Sequence, residues 1–151
     1  MARSHVIYSG RIRKGKRKLY HLKSELQDMA QHNDIGKWGE QQIVDRLVTE
    51  GYTVVERNWR MGHLEIDIIA TRGEEIVFVE VKTRRDAAHN NPLDAMTPKK
   101  IALLSRAANS YLTMTHCRLT PRFDVASVTG SDHSPLIEYI PNAFLPPLRT
   151  Y

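Results

Sequence analysis

The chain has 151 residues, 41% hydrophobic and 26% charged, which suits one soluble globular domain and is too little for two separate cores. Its one cysteine, Cys117, excludes an internal disulfide, the histidines show no paired spacing of a zinc site, and no stretch reads as a secretory signal or a membrane span, so a cytoplasmic setting without a membrane partner is expected. The net charge of +5 points toward nucleic acid, but eight Lys and Arg lie between Arg3 and Lys23; taking those from the 22 leaves 14 basic residues against 17 acidic ones. A basic arm of this kind neutralises phosphates without reading sequence, and by composition it reads equally well as a solvated or disordered extension.

In chain order, Ile35, Ile43, Val44, Leu47 and Val48 recur at helical spacing and Gly51 follows as a stop, which predicts a helix over Ile35 to Glu50. Three strands follow: Tyr52 to Trp59, Leu64 to Ala70 and Glu75 to Thr83, the last two joined by a hairpin turn containing Gly73. Arg84 to Met96 reads as an exposed loop. A second helix starts at Thr97 as N-cap with Pro98 in the first helical position, and its apolar stripe is Ile101, Leu104, Ala108 and Tyr111. A strand over Arg122 to Val128, a turn at Gly130, a short strand over Pro135 to Ile140 and an irregular tail complete the chain. The order α-β-β-β-α-β-β predicts an α/β fold in which helices flank a mixed sheet.

The charges inside the strands need explaining. Alternation places Ile76, Phe78, Glu80 and Lys82 on one face of their strand and Val77, Val79 and Val81 on the other, so both faces are apolar and the strand is central. On the preceding strand, Leu64, Ile66, Ile68 and Ala70 share one face, and Asp67 stands between apolar residues. A hairpin would bring Asp67 close to Glu80 and Lys82 at one edge of the sheet. Two carboxylates there suit a hard divalent cation, with the lysine balancing charge. On the first helix, Glu40 lies in the middle of the apolar face, with the small residues Gly36 and Gly39 beside it. Each charge also has a plainer explanation. Glu80 and Lys82 form a salt bridge at a strand end, Asp67 pairs with Arg60 or Arg84, and Glu40 favours the positive end of its helix.

The arrangement of Asp67, a hairpin and Glu80-Val81-Lys82 resembles the signature of the PD-(D/E)xK nuclease superfamily, and Glu40 resembles the helix glutamate of its archaeal Holliday-junction-resolvase branch. More closely, "GKWGEQQIVDRLVTEGYTVVERNWR", "EIDIIA", "VFVEVKTR" and "RFDV" together resemble the YraN-like family of small bacterial proteins, over about Met29 to Val128. Ile66 stands where the superfamily often has proline, and Leu64 where this branch usually has glycine. The resemblance implies a restriction-endonuclease-like core and a Mg²⁺- or Mn²⁺-dependent endonuclease. Its substrate would be nucleic acid, with DNA the first candidate, branched or single-stranded, in repair or recombination. It assigns Glu40, Asp67, Glu80 and Lys82 to the catalytic centre. Asp67, Glu80 and the Val81 carbonyl would hold the metal, and Glu40 would bind it directly or through water. It further implies that residues 1–28 are an extension beyond the family's unit, 29–141 the nuclease-like domain and 142–151 a tail, and that a homodimer is worth testing.

Arg60, Arg84, Arg85, Lys99 and Lys100 are the candidate phosphate contacts, Lys100 because it lies at the start of the second helix, where free N–H groups attract anions. Trp38 and Trp59 are either base-stacking platforms or core residues, and Asp124 is either the partner of Arg122 or a group behind the site. The rival readings are a nucleic-acid-binding module that keeps the fold without cutting, and an adaptor whose charged strand pair is only an ion pair.

Overall fold

The computed structural model describes residues 12–84, 91–131 and 134–147. The chain divides into two compact units between Asp34 and Ile35. Helix α1 spans Ile12–Thr49, far longer than the Ile35 start expected from apolar periodicity. Residues 12–34 are rich in Lys, Arg and Leu and contain no proline, so they favour helix by propensity, and Leu19, Leu22, Leu26 and Met29 recur at helical spacing. In this first unit the Ser24 hydroxyl donates to the His21 carbonyl at 2.8 Å, and Leu22, Leu26 and Met29 are exposed.

In the second unit the helix ends as expected at Gly51, whose φ of +84° lets Gly51 N–H reach Val48 O and Tyr52 N–H reach Leu47 O. Strands β1 (Thr53–Met61), β2 (Leu64–Arg72) and β3 (Glu75–Arg84) follow, then a 3-10 turn over Pro92–Ala95, helix α2 (Pro98–Thr115) and strands β4 (Thr120–Ser131) and β5 (Ser134–Ile140). Thr97 caps α2 by accepting from Lys100 N–H, and His116, at φ +52°, ends it in the left-handed conformation.

The five strands form one sheet in the order β1-β2-β3-β4-β5; only β3 and β4 pair in parallel. The parallel pair requires a crossover, and α2 lies in it. Each sheet face carries its own core. On one, Ile43 and Leu47 of α1 pack with Ile68, Val77, Val79, Val81, Ala126 and Val128. On the other, Leu104, Ala107, Ala108 and Tyr111 of α2 pack with Ile66, Ile69, Phe78, Phe123 and Val125. The mixed sheet flanked by helices is thus the expected α/β arrangement. β3 is its middle strand, so Glu80 and Lys82 lie at the centre of the sheet and not at its edge.

Candidate active site

The hairpin from β2 to β3 turns at Gly73, φ +59°, and pairs from Arg72↔Glu75 to Ile68↔Val79. Beyond that point the two strands continue with other partners: β2 stays on β1 through Trp59↔Ile66, and β3 stays on β4 through Lys82↔Ser127. At the point of parting the Asp67 carboxylate replaces a ladder bond, its Oδ2 accepting from Val81 N–H at 2.8 Å. The strand's alternation breaks there too. Leu64 and Ile66 belong to the core under α2, whereas Ile68 and Ala70 belong to the core under α1, so the single face expected for these four residues is corrected. Asp67 lies between the two halves. On β1, Asn58, between the pairs Trp59↔Ile66 and Arg57↔Ile68, adopts a left-handed φ of +51°.

Glu80 is 2% exposed, on the same core face as Phe78. Its Oε1 accepts from Lys82 Nζ at 2.6 Å and lies 3.1 Å from Lys100 Nζ of α2. Its Oε2 is buried without a hydrogen-bond partner. A buried carboxylate oxygen with no donor is costly, and such a group calls for a function or a missing ligand. Burial first, then the charge of Glu80, and in smaller measure that of Glu40, push the Asp67 carboxyl up to about 7, against the Val81 N–H bond and Lys100, which pull it down. Burial is the largest single influence on Lys100 and lowers it, but the charge and hydrogen bond of Glu80 together with the charges of Asp67 and Glu65 outweigh it and raise the group, so it stays an ammonium.

Glu40 enters from α1, and Asn58 holds it: Asn58 Nδ2 donates to Glu40 Oε2 at 2.8 Å. The helix comes this close because Gly39 has no side chain. A Cβ there would overlap the Thr83 hydroxyl and stand 2.8 Å from Thr83 Cγ2 and 2.9 Å from Thr83 Cβ. Among the described residues no three His, Cys, Asp or Glu side chains gather tightly enough to hold a metal by themselves. The carboxylates that converge are Asp67 and Glu80, with Glu40 acting electrostatically on Asp67.

The other candidates divide. Arg60 pairs with Glu65 at 3.2 Å on an exposed surface. Lys99 is exposed, Arg84 ends β3 partly buried, and Arg85 lies outside the described residues. Helix α2 offers few N–H groups for an anion, since Pro98 has none and that of Lys100 is taken by Thr97 Oγ1 at 3.2 Å; it is the Lys100 side chain, not the helix end, that faces the buried Glu80. Trp59 is a core residue, edge-on to Tyr111 at 5.7 Å, and Trp38 packs against the α1-side core. Asp124 is fully buried and satisfied by Arg122 Nε and Nη2, the Tyr139 hydroxyl at 2.6 Å and Asn142 N–H, which makes it a structural partner. The sequence reading missed two contacts: Lys100 on Glu80 and Asn58 on Glu40. The first needs the crossover geometry, and the second a left-handed residue within a strand. Asn, a residue that tolerates that conformation, was the only signal for the second.

The model of "Uncharacterised protein family UPF0102" matches residues 39–128. The chain belongs to the UPF0102 family. A UPF0102 protein of Bacteroides fragilis is 44% identical over 120 residues, 80% of this chain and 99% of the relative. A UPF0102 protein of Bacteroides thetaiotaomicron is 42% identical over 120 residues, with the same coverage. A UPF0102 protein of Flavobacterium psychrophilum is 41% identical over 116 residues, 77% of this chain and 98% of the relative. The UPF0102 match begins at Gly39 and ends at Val128, so Glu40, Asp67, Glu80, Lys82 and Lys100 all lie inside it, while β5 lies outside.

Proposed function

We propose that this UPF0102 protein is a Mg²⁺- or Mn²⁺-dependent nuclease that hydrolyses phosphodiester bonds in DNA, in repair or recombination, on a PD-(D/E)xK restriction-endonuclease-like core. The observation that carries the reading is the buried, partnerless Glu80 Oε2 beside Asp67, where β2 and β3 part. A hard divalent cation suits that donor set: two carboxylates and the Val81 carbonyl supply oxygen, and the ion keeps waters for its remaining positions. Glu40, held by Asn58, would act on one of those waters.

When bound, the cation polarises the phosphoryl oxygen and stabilises charge developing on the leaving oxygen. Asp67 and Glu80 would hold the cation where the two strands part, and with it the position of the phosphate. Lys82, anchored on Glu80 at 2.6 Å, would orient the attacking water or help deprotonate it. Arg60, Arg84, Arg85 and Lys99 are proposed to bind phosphates along the substrate. A homodimer and a cytoplasmic setting belong to the same proposal. No helix among the described residues is long and apolar enough to cross a membrane.

The test is calorimetry with Mn²⁺ on the intact protein and on the double variant Asp67→Asn, Glu80→Gln, followed by incubation with branched, flapped, single-stranded and duplex DNA. Cleavage that needs the metal and is lost in the variant is the expected result; DNA binding without cleavage under any metal would sink it. That second outcome belongs to the rival reading of a non-catalytic nucleic-acid-binding module, and no affinity for metal or DNA would leave an adaptor. A non-catalytic role is favoured by one observation, that two ammonium groups already balance the charge of Glu80.

A further inference from the structure

Glu80 presents its two oxygens unequally. Oε1 has both lysines, at 2.6 and 3.1 Å, and Oε2 has no partner. The lysines also differ. Lys82 stands two residues along the same strand and holds Glu80 at the shorter distance, whereas Lys100 reaches across from the first turn of α2 and holds it at the longer one. Three cations cannot crowd one carboxylate without repulsion, so an arriving divalent ion weakens the more loosely held ammonium most.

We propose that Lys100 is a resident counter-cation that a divalent metal displaces from Glu80, and that the released ammonium is then the phosphate-binding group nearest the metal. This rests on the nuclease reading of the same site. Metal entry and phosphate binding are thereby coupled: without metal, Lys100 is spent on Glu80 and the acidic centre has no free cation for the substrate; with metal, one more positive charge faces it. Release occurs only as a rotation of the flexible lysine stem, since Thr97 and Pro98 fix the helix end by the backbone.

The experiment measures binding of a fluorescein-labelled duplex oligonucleotide to the full chain across a salt series, with and without Ca²⁺ as a cation expected to bind without supporting cleavage. Each lysine–phosphate contact adds close to one to the slope of log K against log salt. Ca²⁺ is expected to steepen the slope of the wild type by about one relative to Lys100→Met under the same conditions, and the two proteins should have the same slope without Ca²⁺. In Glu80→Gln, which loosens Lys100 without metal, the steeper slope should already be present in the absence of Ca²⁺. Should Lys100→Met fold poorly, the ¹³Cε signal of Lys100 in the wild type replaces it, moving on Ca²⁺ addition toward the position of an unpaired lysine. Calorimetry on the wild type separates the failures. No cation binding overturns the nuclease reading and this inference together. Cation binding with unchanged slopes, or an unmoved Lys100 signal, overturns the inference alone.

Discussion

Asp67 is held at a cost that shows in its titration. Its folded carboxyl titrates near 7, against 3.8 for the ordinary side chain, because burial and Glu80 disfavour the charge. An acid raised on folding binds its proton more tightly in the native state, so stability from this group is complete below about pH 4, is lost as pH rises to about 7, and is flat above that. Asp67→Asn keeps an acceptor for Val81 N–H and removes the charge. Thermal unfolding of the metal-free protein should show the variant more stable by about 1–3 kcal/mol at pH 8, the advantage fading toward pH 4. Mn²⁺ should reverse the order at pH 8 by stabilising the wild type alone, a shift readable as Tm. At the same scale Asn58→Asp keeps the tolerance for φ +51° but turns a donor into a second acceptor facing Glu40. Metal affinity measured by calorimetry should change while Tm moves little if Asn58 only orients Glu40.

Between elements, α1 comes tightly against β3 at Gly39 and Thr83. Gly39→Ala must push the helix away from the strand, and overpacking of this kind costs about 1–3 kcal/mol. Urea denaturation should report that loss, and Thr83→Ala in the same chain should restore part of it by removing two of the three clashing atoms. Much of this layer was legible. The stop at Gly51, the turn at Gly73 and the cap at Thr97 are backbone requirements written in single residues, and the two-sided apolar pattern of Glu75 to Thr83 placed β3 inside the sheet. The break in β2 was not legible, because alternation assumes an unbroken ladder and Asp67 interrupts it with a side-chain acceptor. The early part of α1 was missed for another reason: Leu19, Leu22, Leu26 and Met29 recur at helical spacing, but they stand in and beside a run of basic residues that reads first as an extension.

Across the whole second unit, the polar network on Arg122 joins elements that no single hairpin connects. Its guanidinium reaches Glu75 at the start of β3, the Tyr52 hydroxyl before β1, and Asp124 on β4, while Asp124 accepts from Tyr139 of β5 and from Asn142 beyond it. Arg122→Met leaves Asp124 buried and without its cation, which should cost about 3–5 kcal/mol and lower Tm without altering the pH profile set by Asp67. The approach of Asp67 to Glu80 was legible as charges out of place in apolar strands, because burial is periodic in sequence, whereas Glu40 acts on Asp67 only through its charge. That Lys100 closes the group was not, since it depends on where a crossover returns. The single parallel pair has a kinetic meaning as well. Asp67 and Glu80 meet across the short turn at Gly73, a local closure, whereas Lys100 arrives only when α2 has carried the chain back to lay β4 on β3. The two acids therefore face one another with Lys82 alone beside Glu80, before its second ammonium partner is in place. Divalent cations should speed the late phase of refolding, and pulse-labelled amides of the β2–β3 hairpin should be protected ahead of those in β4.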